Sequence, residues 1–145
     1  KNVFAFFCLG SVLYIFISLV SYSSLDPSLS SISSLSGSIE NLGGPFGAYL
    51  SDALFSVVGI GAYLFLLVMS FVAVKQLFFY QPSNNTHKVI KVTSALVLLS
   101  SFSALCEFYY SGDYFPQSSS GGLVGALIFT SLSNIFGIVG SLIFI

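Results

Sequence analysis

The chain has 145 residues, of which 55% are hydrophobic and only 6% charged, and its mean hydropathy is +0.97. A soluble domain carries roughly a quarter charged residues to solvate its surface, so this composition excludes one and identifies a membrane protein. Four lysines, no arginine and five acids give a formal net charge of −1, which leaves no basic patch for phosphate and excludes direct nucleic-acid binding by this segment.

Residues 3–22 carry no charge and match the roughly 20 residues that span a bilayer. A secretory signal is the rival for this stretch, since Lys1 precedes the apolar run and Ser21-Tyr22-Ser23 imitates a cleavage site. Signal cores run about 7–15 residues, shorter than this. The chain opens on Lys1 rather than Met, so some N-terminal sequence is expected to be missing. Residues 23–42 form a serine-rich connection with Asp26-Pro27 and Gly37 as turn formers. Its interspersed Leu25, Leu29, Ile32, Leu35, Ile39 and Leu42 suggest a loop lying against the membrane surface.

The apolar stretch 46–74 is too long for one straight span across a core of roughly 30 Å at about 1.5 Å per residue. Asp52, between Ser51 and Ser56, is taken as the point of division. The expectation is a short interfacial helix near 46–54 and a span near 56–75, with Gly59 and Gly61 letting another helix approach closely. A turn-rich loop over 76–88 leads to a third span near 89–107, rich in Ser and Thr. The fourth, 123–145, ends on Ile145 within apolar sequence and is expected to be truncated. The whole is read as a single membrane domain, 1–145.

The stretch 43–67 recurs at 121–145. Gly43, Gly44, Gly47, Ala48, Leu54, Gly59, Ile60 and Leu64 match Gly121, Gly122, Gly125, Ala126, Leu132, Gly137, Ile138 and Leu142 without a gap. Glycine spacing reports close backbone approach, so the match reads as an internal duplication. Gly43, Gly44, Gly47, Gly59, Gly61, Gly121, Gly122, Gly125, Gly137 and Gly140 are the candidate helix-packing positions. Gly121-x-x-x-Gly125 and Gly137-x-x-x-Ser141 suit packing within one subunit or between subunits.

Charge sets the topology. Lys1, Lys75, Lys88 and Lys91 fall at one set of span ends, and Asp26, Glu40, Asp52, Glu107 and Asp113 at the other. The positive-inside rule puts Lys75, Lys88, Lys91 and both termini in the cytoplasm. The fold class that follows is all-α: an integral membrane four-helix bundle of two parallel helical-hairpin repeats, with short interfacial helices at the outer face.

Nothing in the chain carries catalytic chemistry. His87 is the one histidine and sits beside Lys88 with no carboxylate nearby in sequence. No phosphate-binding Gly-x-x-x-x-Gly-Lys-Ser/Thr stretch exists. Cys8 and Cys106 fall in opposite leaflets, beyond the Cα separation of about 4.4–6.8 Å that a disulfide allows. No Cys/His cluster has metal-ligand spacing. Asp52 and Glu107 suit proton carriers of a transporter, but both lie at expected outer boundaries where interface water solvates them.

Ser24-Leu25-Asp26-Pro27-Ser28 and Asn41-Leu42-Gly43-Gly44-Pro45-Phe46-Gly47-Ala48-Tyr49-Leu50-Ser51-Asp52-Ala53-Leu54, with Gly59 and Ala62-Tyr63, resemble the N-terminal four-span membrane domain of FtsK/SpoIIIE-type DNA translocases. The outer-loop motif of that family falls on Asp26, Pro27, Ser28, Asn41 and Asp52. The chain departs from it at Leu29, where the family often has Trp, at Leu64-Phe65-Leu66, where it often has Pro, and at Lys75-Gln76, where it commonly has Arg. The resemblance implies an anchor in the bacterial inner membrane, at the division septum, for a cytoplasmic linker and an ATP-driven DNA pump that serves chromosome segregation. It implies no catalytic site and no cofactor in this chain, ATP and Mg belonging to the motor. The implied partners are the lipid bilayer, further copies through a hexameric motor, bacterial division proteins, and DNA through the motor alone. The alternative is a small multi-pass transporter built from two parallel repeats.

Overall fold

The computed structural model describes residues 2–27, 39–78, 85–110 and 119–145, and among them every regular element is an α-helix. These are α1 (Asn2–Val20), α2 (Gly44–Val58), α3 (Gly61–Phe78), α4 (Asn85–Tyr109) and α5 (Gly122–Phe144). Among the described residues three stretches are long and apolar enough to cross a membrane, Gly61–Phe78, His87–Tyr109 and Gly122–Phe144, and α1 adds the shorter apolar run Phe6–Val20.

Glycine punctuates these helices. Gly44 and Gly122 open α2 and α5 with φ of 68° and 64°, and Gly59 and Gly137 follow them at one common spacing with φ of 58° and 71°. All four lie in the left-handed region, which costs other L-residues about 1–2 kcal/mol. The two pairs occupy matched positions of the repeat, so the sequence duplication also repeats the positions of positive φ. Pro45 fits the first turn of α2, where its missing N–H removes no helical bond.

The break between α2 and α3 therefore falls at Gly59–Ile60 and not near Asp52. A helix tolerates a polar residue whose side chain finds a partner, but it cannot continue its φ/ψ through a left-handed residue. Asp52 lies in the middle of α2. The same break interrupts the expected fourth span, for Gly137 adopts φ 71° and ψ 173° within α5. The expected spans 3–22 and 89–107 compare with helices over 2–20 and 85–109. Backbone bonding carries α4 past the apolar run at both ends, while α1 stops where Ser21 returns its hydroxyl to Ile17.

The chain forms two compact units, one of Lys1–Ala53 with Tyr63–Lys88, the other of Leu54–Ala62 with Val89–Ile145. They are not the two sequence repeats, because the second takes residues 54–62 from the first repeat. In the first unit Val12, Leu19, Ala48 and Ala73 are buried, and in the second Phe55, Val58, Ala62, Ala104 and Cys106. Among the described residues eight buried polar side chains stand beside these nine apolar ones, while Phe7, Phe71, Leu96 and Ile143 point outward. Small and polar inside with large and apolar outside is the distribution expected in an apolar solvent.

Candidate functional site

Most of the resemblance motif converges on one buried polar seat in the first unit. Asp26 is buried, and its carboxylate accepts the Glu40 N–H at Oδ1 and the Asn41 N–H at Oδ2, both at 2.8 Å. The chain returning from the serine-rich connection is thereby gripped at two adjacent amides. Asn41, also buried, donates through Nδ2 to the Ser18 carbonyl at 2.9 Å and over a longer 3.4 Å to Ser51 Oγ. Its Oδ1 accepts the Gly43 N–H at 2.8 Å, and its carbonyl accepts the Gly44 N–H at 2.9 Å. One side chain thus ties the end of α1 to the glycine turn that opens α2.

Around this core Leu42 N–H donates to Ser21 Oγ at 3.0 Å and the Tyr14 hydroxyl to the Gly43 carbonyl at 2.7 Å. The glycines let the backbones close. A Cβ on Gly47 would stand 2.7 Å from both Ser18 Oγ and Asn41 Oδ1, and one on Gly43 would strike the same Ser18 hydroxyl. Asp52 is 0% exposed and receives the Tyr22 hydroxyl. Beyond the end of α1, burial first and the Asp52 carboxylate second push the Tyr22 phenol above its usual range. The boundary solvation expected for Asp52 is thus replaced by full burial against a phenol. Pro27 is half-buried beside Asp26. Ser28, Lys1 and Asp113 lie outside the described residues.

The second unit builds a comparable seat from different residues. Glu107 Oε2 accepts the Gly121 N–H at 2.9 Å. The Ser120 hydroxyl lies 2.9 Å from the Tyr110 carbonyl and 3.1 Å from that of Cys106. Gly121 and Gly125 pack on the Ser103 backbone, where a Cβ on Gly125 would lie 2.7 Å from the Ser103 carbonyl carbon. Ser103 is thus the partner of Gly121 and Gly125 as Ser18 is of Gly43 and Gly47. Onto this seat docks the helix break. Ile60 N–H donates to the Ser120 carbonyl at 2.9 Å, and Ser103 Oγ to the Val58 carbonyl at 3.0 Å. A Cβ on Gly122 would stand 2.5 Å from Gly59 N, and one on Gly61 would stand 2.6 Å from Ser103 Oγ.

Three of the ten candidate packing glycines do not pack on another element among the described residues. Beside Gly44 and Gly137 a Cβ would meet nothing within 4 Å, and beside Gly140 only Phe136 of its own helix. Gly44 and Gly137 are required by their left-handed φ rather than by a neighbour. Lys75 is exposed in the last turn of α3, and Lys88 and Lys91 are exposed at the start of α4. Sequence reasoning missed Ser18, Tyr22, Ser103 and Ser120. For the three serines the signal was a hydroxyl inside or beside an apolar run, which back-bonding within a helix explains equally well, as at Ser94 with Ile90.

Such a seat holds backbone against backbone through its carboxylates, amide and hydroxyls. Among the described residues no three His, Cys, Asp or Glu side chains lie together as a metal would require, and both cysteines are free.

Over residues 1–145 the chain matches the family described as the 4TM region of DNA translocase FtsK/SpoIIIE. It is 30% identical over 142 residues to DNA translocase FtsK 1 of Neisseria meningitidis serogroup B, covering 94% of this chain and 18% of that protein. It is 30% identical over 140 residues to DNA translocase FtsK of Pseudomonas syringae pv. tomato, covering 89% and 16%. With DNA translocase FtsK of Vibrio vulnificus it shares 30% identity over 120 residues, covering 79% and 12%. The chain thus spans less than a fifth of the length of these relatives. No solved structure matches it.

Proposed function

The chain belongs to the 4TM region of the FtsK/SpoIIIE DNA translocases, and from that premise we propose that it anchors such a translocase in the bacterial inner membrane. The proportion of the match carries this reading: a strongly apolar piece aligns over 94% of its own length with 18% of a DNA translocase. On this proposal ATP, Mg and DNA are handled by parts of the protein outside residues 1–145, and further copies and division proteins gather around the anchor. The buried seats fix the helices of each unit at their acidic ends. Lys75, Lys88 and Lys91 mark the cytoplasmic face and Asp26, Glu40, Asp52 and Glu107 the outer one, by the positive-inside rule. The domain tethers its motor at the division septum, where chromosome segregation and division meet.

The test is a fluorescent protein fused after Ile145 and followed in dividing bacteria. Fluorescence in the inner-membrane fraction and concentrated at midcell is expected. A soluble distribution would overturn the anchor, and an even envelope distribution would overturn the septal part alone.

A further inference from the structure

Glycine breaks divide the second repeat as they divide the first. The repeat aligns residues 122–136 with α2 and Gly137 with the Gly59 that follows α2. At Gly137, φ 71° and ψ 173° leave the helical region, so α5 is two helical pieces, 122–136 and 138–144. Levels along α4 show how far each piece descends. Gly121 N–H reaches the Glu107 carboxylate, and Gly121 and Gly125 pack on the Ser103 backbone, so α5 starts at the acidic end of α4. From Gly125 a straight helix antiparallel to α4 would descend about 30 Å by Ile145, at about 1.5 Å per residue, to a level past Asn85, where α4 begins. Ile145 instead closes a groove of about 490 Å³ whose other walls are Thr93, Ser94, Val97, Leu98 and Ser101. Those residues stand two to ten positions from Ser103, about 3–15 Å along the helix. The piece from Gly137 to Ile145 covers about 12 Å of that alone, which leaves residues 122–136 almost no descent.

Side-chain exposure agrees with that path. Thr130, Ser131 and Asn134 are exposed, as are Leu127 at 59% and Ile135 at 73%. On a straight span Asn134 would stand about 13 Å below Gly125, within hydrocarbon, where lipid tails offer its amide no hydrogen bond. One helix exposes polar and apolar side chains together where headgroups, water and acyl chains meet. We propose that residues 122–136 lie in the lipid–water interface at the acidic end of α4 and that the fourth crossing begins only at Gly137. The partner of this helix is the membrane surface: Thr130, Ser131 and Asn134 meet phospholipid headgroups, and Ile135 reaches the first carbons of the acyl chains. Length and hydropathy start the crossing fifteen residues earlier, at Gly122, because both pieces are apolar and no polar segment separates them. The second repeat thereby carries an interfacial helix followed by a crossing, as α2 precedes α3. The placement concerns depth alone, so it stands apart from the sidedness assigned by the lysines and from the anchor reading.

The test uses the full-length protein, purified and reconstituted in vesicles of phosphatidylethanolamine and phosphatidylglycerol. In a cysteine-free background, Leu127→Cys, Thr130→Cys, Asn134→Cys and, on α4, Leu98→Cys each carry a nitroxide label. All four positions are exposed, so no packed contact is disturbed, and the three on α5 share one side of the helix. Depth is read from relaxation of the label by oxygen against a water-soluble nickel chelate. Labels at 127, 130 and 134 are expected at one common depth, about 7 Å shallower than Leu98→Cys, which stands five residues below the level of Ser103. A straight span instead deepens by about 1.5 Å per residue through the three sites and puts Asn134→Cys about 6 Å deeper than Leu98→Cys. Asn134→Cys at or below the depth of Leu98→Cys would overturn the proposal, and so would a steady gradient from 127 to 134.

Discussion

Gly59→Ala and Gly137→Ala form a matched pair that separates backbone strain from close packing. Both glycines have positive φ, 58° at Gly59 and 71° with ψ 173° at Gly137, so each alanine carries a conformational penalty, about 1–2 kcal/mol at Gly59 and about 1–3 kcal/mol at Gly137. Only one meets an obstacle. The new methyl at residue 59 would press on the Ser120 carbonyl oxygen and lie 2.6 Å from Gly122 N and 2.7 Å from the Gly121 carbonyl carbon. All three are backbone atoms, which cannot rotate away as a side-chain tip can. Forcing extra volume into such a contact costs about 1–3 kcal/mol beyond the strain. Gly59→Ala is therefore expected to destabilise the second unit by about 2–5 kcal/mol in total, and Gly137→Ala by the strain alone. The assay is reversible denaturant unfolding in detergent micelles, at a dilution where the chain is monomeric. A loss for Gly59→Ala no greater than the about 1–2 kcal/mol of strain alone would refute the packed break.

Asn41→Ala removes the bonds to the Ser18 carbonyl and the Gly43 N–H and leaves the first buried and the second half-buried, an expected loss of about 1–3 kcal/mol in the same unfolding assay; a loss under about 0.5 kcal/mol would show that water replaces the amide. Tyr22 has a folded-state pKa raised by burial and by Asp52, so its contribution is complete below the unfolded value near 10 and fades as pH rises through the higher folded value. Unfolding measured from pH 8 upward should show that alkaline decline in the parent chain and a shallower one in Tyr22→Phe; identical slopes would count against it. For orientation, Ser119→Cys should react with an impermeant thiol reagent added outside intact cells, and His87→Cys should not. The reverse pattern would invert the assigned topology.

The fold class was legible because composition and apolar run length are local quantities. The helix breaks were only half legible. The repeat alignment picked out Gly44, Gly59, Gly122 and Gly137, but as packing positions, when their shared property is a left-handed backbone. Asp52 misled for the opposite reason: a carboxylate in an apolar run reads as a boundary unless its partner is known, and Tyr22 belongs to a much earlier part of the chain. The family resemblance named Asp26 and Asn41, and spacing alone could not show that one holds the backbone of the other. Glu107 was read as a solvated boundary acid, whereas it receives the Gly121 N–H from beyond the following loop. Each miss is a side chain acting on a distant group, which no periodicity records.

The seats are made of glycine and serine held by main-chain contacts, while the outward positions bear large apolar residues such as Val92 and Leu96 on α4. Two kinds of position follow, with unequal tolerance of substitution. At the seats a single added methyl decides whether the backbones close, so very few substitutions pass. On the outward faces no shape is matched, and one apolar residue serves as well as another. A chain divided this way can exchange most of its outward surface and keep its architecture, provided a handful of small residues stays in register. The residues shared with the Neisseria meningitidis relative, 30% identical over 142 residues, are on this reasoning expected to gather at the glycines and serines of the seats.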